Sequence, residues 1–285
     1  MDIFENKVPR TVKNDYEGFN YFTTLFKETE FKENMIIRLD FSKCNWFEAN
    51  LSAVLGTWAT KMFNQKNKIE LYKISNSIRK VLQRNGFYKR FKLEVLPDAF
   101  GTAIEYKEFK ITQQEEFSQY LTRDVIPNIK SQATPQVLKS LKTTLNEVFT
   151  NVDFHANSDK VYTCGQYYHQ NQNVAFTISD CGKTIGANVR KFLGGHLNDL
   201  KSIEWALIED NSTKGITSND EEAGGIGLYI LKEFIYNNKG ILQIVSGDGF
   251  YELNNQNVYT KNLDFHFPGT VVNIITKLEY SFNKF

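Results

Sequence analysis

Several features that would place this chain in a class at once are missing. Its 285 residues hold three cysteines, Cys44, Cys164 and Cys181, too few and too scattered for a disulfide framework. No window approaches the roughly 18 uninterrupted apolar residues that a membrane-spanning helix needs. The opening segment, MDIFENKVPR, carries acids and lacks the apolar stretch of a secretory signal. Excess charge of one sign is missing too: 34 Lys and Arg stand against 33 Asp and Glu, a formal net charge of +1. That balance supplies no global pull towards nucleic acid or an anionic membrane, and neither is expected as a partner. There is no HExxH and no paired CxxC to hold zinc, and no GxSxG to present a serine nucleophile. Internal repeats and low-complexity tracts are absent. What is left is a globular protein of ordinary composition, 41% hydrophobic and 24% charged, expected in the reducing cytoplasm. Its length suggests about two domains.

The first half reads as alternating strands and helices, which predicts an α/β layer. MIIRLDF (Met35–Phe41) predicts a strand, and Leu51, Val54, Leu55, Trp58 and Met62 recur at helical spacing. IELYKI (Ile69–Ile74) predicts a second strand and Ser77–Asn85 a second helix, closed by the turn Asn85-Gly86. Arg79, Lys80, Arg84, Lys89, Arg90 and Lys92 form a basic cluster, either a docking patch for an acidic partner or a solvated surface. In the second half, helices are expected over Gln113–Ile126 and Pro135–His155. A hairpin of VYTCGQYY and NVAFTISD follows, then an irregular stretch over Gly194–Gly224, a helix Ile226–Tyr236, and strands Ile241–Ser246 and Thr270–Lys277. The division falls at 1–107 and 108–285.

Four places in the second half could carry chemistry. On the helix from Pro135, Leu138, Leu141, Leu145, Val148 and Val152 make an apolar stripe. Glu147, Asn151 and His155 stack at i, i+4 and i+8 on another face, a carboxylate, an amide oxygen and an imidazole aligned for a cleft. A carboxylate there can deprotonate or orient a nucleophile, and an amide oxygen is a hard ligand suited to Mg²⁺. Asp180 ends the strand in which Val174, Phe176 and Ile178 share one side, with Cys181-Gly182 after it. Gly224-Gly225-Ile226-Gly227 opens a helix, where free N–H groups and the positive dipole end favour an anion. Pro268-Gly269-Thr270 precedes the last strand. Gly182-Lys183-Thr184 imitates the end of a P-loop, but Thr177 occupies its required first glycine. Likewise, Ile230 stands where a dinucleotide fingerprint needs its third glycine.

Taken in order, LNEVFTNVDFHAN, ISDCG, GGIGL and PGT closely resemble the nucleotide-binding boxes of the GHKL ATPase superfamily, over about Phe109–Tyr280. That superfamily takes in histidine kinases, gyrase-type topoisomerases and the anti-sigma-factor serine kinases. SIEWALIEDNSTKG resembles the lid of its stand-alone regulatory members. The resemblance implies an α/β sandwich, a mixed sheet with helices on one face, that binds ATP and Mg²⁺. It implies that Glu147 polarises the attacking water or hydroxyl and that Asn151 holds Mg²⁺. Asp180 would read the adenine amino group with Gly182 supporting the base and Thr270 nearby. Gly225 and Gly227 would donate to the phosphates, and Lys214 would contact the γ-phosphate. One departure stands out: Thr184 replaces the second glycine of the usual DxGxG.

IIRLDFSKCNWFEANLSAVLG followed by IELYKISNSIRKVLQRNGFYKRF resembles a STAS domain, the fold of anti-sigma-factor antagonists. Ala49 stands where such antagonists carry their phosphorylatable serine, with Ser52 off register, so self-phosphorylation at that site is not expected. Together the resemblances imply an ATP-binding regulatory protein with Mg²⁺-dependent ATPase or serine-kinase activity towards a protein partner, with a homodimer through the second half. The alternative is a non-hydrolysing, nucleotide-gated interaction switch. A histidine kinase is disfavoured, because no histidine lies on a separate helical hairpin upstream.

Overall fold

The computed structural model describes residues 1–129, 134–152, 158–209, 211 and 227–277. The first half opens with β1 (Ile3–Lys7), β2 (Thr11–Val12), α1 (Tyr16–Thr29), β3 (Ile36–Asp40) and β4 (Trp46–Phe47). A 3-10 turn at Ala49–Leu51 leads into α2 (Ser52–Asn64), followed by β5 (Lys68–Tyr72) and α3 (Asn76–Arg84). β1, β3 and β5 form a parallel sheet in which β3 is central, and β2 pairs with β4. The second half contributes β6 (Ala103–Lys110), α4 (Gln114–Tyr120), a wide π turn and α5 (Ile126–Ile129). Then follow α6 (Pro135–Asn151), β7 (Lys160–Tyr168), β8 (Asn173–Asp180), α7 (Ile185–Leu193) and α8 (Asp199–Ala206). The described chain closes with α9 (Gly227–Asn237), β9 (Ile241–Asn254) and β10 (Asn257–Lys277). The larger sheet runs β6-β7-β8-β10-β9.

Every pairing in that larger sheet is antiparallel, which corrects the expected mixed sheet. The reason is local. β7 and β8 are joined by a short turn, and β9 and β10 by another in which Asn255 and Gln256 take positive φ, and tight turns return the chain antiparallel. That second turn also carries both strands well beyond their expected spans of Ile241–Ser246 and Thr270–Lys277. Parallel pairing is confined to the first half.

Helices cover both faces of the larger sheet, where one covered face was expected. On one side, α4, α6 and α9 close a core around Phe117, Leu141, Leu145, Phe176 and Leu231. On the other, α1 and α2 lie between the two sheets, and one continuous core joins Phe22, Leu25, Ile37, Leu39 and Trp58 to Cys164, Phe250 and Val271. Asp15 starts α1 by accepting from the Gly18 N–H at 2.8 Å, and the helix then buries Phe19, Phe22, Leu25 and Phe26. α2 is buried nearly all round because it has sheet on two sides. β6 starts at Ala103, so the sheet of the second half reaches back past residue 107.

Two residues of the basic cluster are drawn into the fold by acids on β6. Lys89 pairs with Glu105 and Arg90 with Glu108, while the Arg90 guanidinium lies 5.2 Å from the Phe63 ring centroid and 5.8 Å from that of Tyr162. Arg84 lies over Phe100 at 4.8 Å. Among the described residues no helix is long and apolar enough to cross a membrane.

Candidate functional site

Side chains alternate along β8, and the alternation decides what Asp180 faces. Val174, Phe176 and Ile178 belong to the core beneath α4, α6 and α9, so Asp180, two residues on, points to the same side. Thr177 and Ser179 point the other way and bond to α2 and the turn before it. Val272 and Ile274 put Thr270 on the Asp180 side of β10, and Leu242 and Ile244 put Ser246 there on β9.

Asp180 is 1% exposed. Its Oδ1 accepts from the Gly182 N–H at 2.9 Å, and the Thr270 N–H donates to it as well. Burial outweighs these two donors and pushes the carboxyl up to about 7. Thr270 reaches the carboxylate because Gly269 lets β10 come close: a Cβ at Gly269 would overlap the Asp180 carbonyl oxygen, and its φ of 133° lies outside the range of ordinary side chains. Ser246 ties the corner together. Its Oγ donates to the Gly269 carbonyl at 2.9 Å, accepts from the Ile185 N–H at 2.9 Å and lies 3.0 Å from Thr270 Oγ1. Asp180 and Gly182 of ISDCG and Thr270 of PGT thus share one corner.

Thr184 explains the departure from DxGxG. Its hydroxyl caps α7, accepting from the Ala187 N–H at 3.1 Å, and the residue is 4% exposed. The helix it starts, like α8 after it, occupies sequence read as unassigned or irregular. Asp199, 6% exposed, joins these helices to β9: it accepts from Arg190 at 2.8 Å and from the Asp248 N–H at 3.0 Å. A Cβ on Gly247, which has φ 64°, would overlap its carboxylate. Sequence reasoning missed Ser246 and Asp199. Asp199 follows Asn198, whose side chain caps α8, and that capping pattern was its one legible signal.

The second group of expected residues sits on α6. Leu138, Leu141, Leu145, Val148 and Val152 are all buried, as the stripe predicts. Glu147 is half-buried on a different face, against the first turn of α9, and a Cβ on Gly227 would stand 2.7 Å from its carboxyl carbon. Glu147 and Gly227, 80 residues apart, are therefore neighbours. One turn on, Asn151 holds its Oδ1 buried without a hydrogen-bond partner among the described residues. A buried acceptor left unpaired is costly, and in a polar site it marks room for a bound donor or cation. An amide oxygen suits Mg²⁺, so the residue fits the ion that the resemblance implies. His155, Lys214 and Gly225 lie outside the described residues.

Ala49 and Ser52, the two residues weighed as phosphoacceptor positions, are both buried. Ala49 is buried in its 3-10 turn, and Ser52, fully buried, accepts from Asn85 Nδ2 at 2.9 Å. No protein-family model matches the sequence, and no curated protein is significantly similar to it.

Proposed function

We propose that this protein is an ATP-binding regulatory protein of the GHKL type, with a STAS-like first half and Mg²⁺-dependent ATPase or serine-kinase activity towards a protein partner. The observation that carries this reading is the meeting of Asp180, Gly182 and Thr270 at the strand ends, on the sheet face that α6 and α9 cover. The unpaired Asn151 Oδ1 and the Glu147–Gly227 contact add to it.

In this reading the Asp180 carboxylate accepts from the exocyclic amine of adenine, and Gly182 leaves space for the base against the backbone. Asn151 Oδ1 holds Mg²⁺, which when bound neutralises phosphate charge. Glu147 orients a water or a serine hydroxyl and takes its proton. Gly227 allows the Glu147 carboxylate to approach the N-terminal turn of α9, whose N–H groups favour anionic oxygens.

Titration calorimetry with ATP and Mg²⁺ tests the binding half of the proposal. Saturable heat from the wild type, lost in Asp180→Asn, is the expected result, and no heat from the wild type would refute it. Phosphate release tests the chemistry, since Glu147→Ala should abolish it while ATP binding stays within about threefold. Equal, negligible release by both forms would favour a switch without turnover. That second reading has its own support in the hydroxyl and amide bonds joining the first half to β8, which could report the nucleotide state to a partner. Sedimentation at the monomer mass with ATP bound would count against the homodimer.

A further inference from the structure

At the far end of β8 from Asp180, about 23 Å along the strand, a cleft of about 420 Å³ opens between the two halves. Its walls are the segments before α1 and around β4, and its floor is the turn joining β7 to β8. The size falls within the range of small-molecule pockets. Trp46 lines it while 46% exposed, an unusual investment of indole surface for a side chain with no partner above it.

The polar groups here lean one way. Glu48 presents a carboxylate, bonded on one side by the Tyr168 hydroxyl. Burial and that same carboxylate push the Tyr168 hydroxyl well up, so it remains a donor to Glu48. Asn173 also lines the cleft, and its Oδ1 is buried with no hydrogen-bond partner among the described residues. Asp15 is a second acid. It already caps α1, so the positive end of that helix is occupied and does not call for an anion. Lys13 is the one Lys or Arg among the lining residues. A carboxylate acceptor, an amide oxygen and an open indole face match one kind of molecule: flat, cationic and rich in N–H donors.

We propose that this cleft is a second ligand site, taking a small planar organic cation whose N–H groups reach Glu48 and Asn173 while its flat face lies on Trp46. The proposal is independent of the nucleotide reading, because none of its residues belongs to the Asp180 corner or to α6. It also places a ligand against both halves at once. Asn14 lines the cleft and bonds to Asn50, which in turn donates to Thr177 of β8 at 2.8 Å.

The test uses the full chain and 4-aminobenzamidine, a flat amidinium whose fluorescence rises when it leaves water. A saturable rise with Kd below about 1 mM is expected. Glu48→Gln keeps the bond to Tyr168 but removes the charge, and should weaken binding about tenfold or more. Trp46→Ala changes an exposed side chain and should weaken it comparably, so a folding failure in the first variant leaves the second to decide. Unchanged thermal melting identifies the folded variants, and Asp180→Asn should bind the probe as the wild type does. No saturable signal up to about 10 mM would overturn the proposal, as would wild-type affinity in both variants. Tighter binding of 4-aminobenzoate, the same ring bearing the opposite charge, would overturn it too.

Discussion

The two faces of the larger sheet bury polar groups in opposite ways. On the face towards the first half, Asn50 donates to Thr177, Asn273 and Asn14, and Asn273 donates in turn to Gln243 at 2.7 Å. Thr57 donates to Ser179 at 2.8 Å nearby. These groups come from segments more than a hundred residues apart and find partners in each other. On the opposite face the core is apolar, and its polar atoms gather at strand ends and on one side of α6, where Asn151 Oδ1 has no partner and Asp180 is buried against its preference. A satisfied network fixes how two parts dock, whereas an unsatisfied one points to something that binds. At the centre of the first face the polar groups satisfy one another, whereas on the second Asp180 is held against its charge by burial.

The largest expected effect comes from breaking the satisfied side. Asn50→Leu leaves the amide and hydroxyl groups of Asn14, Thr177 and Asn273 short of partners in a dry interface, and should destabilise the protein by about 3 kcal/mol in urea unfolding. A loss below about 1 kcal/mol would mean that water or rearrangement satisfies them and that the network does not hold the halves together. Next comes Gly269→Ala. The new methyl meets the Asp180 carbonyl at a φ that alanine tolerates poorly, so about 2 kcal/mol should be lost, together with ATP binding. ATP binding unchanged in that variant would separate the glycine from the site. Asn151→Leu sharpens the contrast with Asn50→Leu. It removes an atom that nothing satisfies, so stability should stay within about 1 kcal/mol of the wild type or rise, while Mg²⁺-dependent ATP binding falls. A large loss of stability there would show that Asn151 is structural.

The same contrast explains which parts of the molecule were legible. Strands and helices over residues 35–85, the hairpin of β7 and β8 and the stripe on α6 follow from apolar periodicity, and periodicity is local. β6 escaped notice because lysines and glutamates interleave its Ile104, Tyr106 and Phe109, and α7 and α8 because the lid-like stretch around them reads as irregular. The docking of the halves was illegible for a deeper reason. Thr177 and Ser179 alternate with apolar residues, and both are fully buried because Asn50 and Thr57 arrive from over a hundred residues away. At the candidate site, Asp180, Gly182, Thr270 and Glu147 stood out by motif, whereas Ser246 and the unpaired state of Asn151 emerge only once strands and helices are placed.

The last expected effect is the most specific, because it reads one ionisation on the face that α6 covers. Asp180 titrates near 7 in the fold, against about 3.9 in an unfolded chain. The folded state therefore favours the protonated form, and the stability this group contributes is fully present below the unfolded value and lost as pH rises through the folded one. The amide introduced by Asp180→Asn resembles the protonated carboxyl and cannot ionise. The melting-temperature difference between variant and wild type, both without nucleotide, should thus favour the variant increasingly from about pH 4 to about pH 7 and then level off. Other carboxylates cancel in that difference, including Asp248, whose pKa is also raised by burial and by Asp199 beside it. A difference constant across the range would mean that Asp180 is not held against its charge, and the distinction between the two faces would then rest on Asn151 alone.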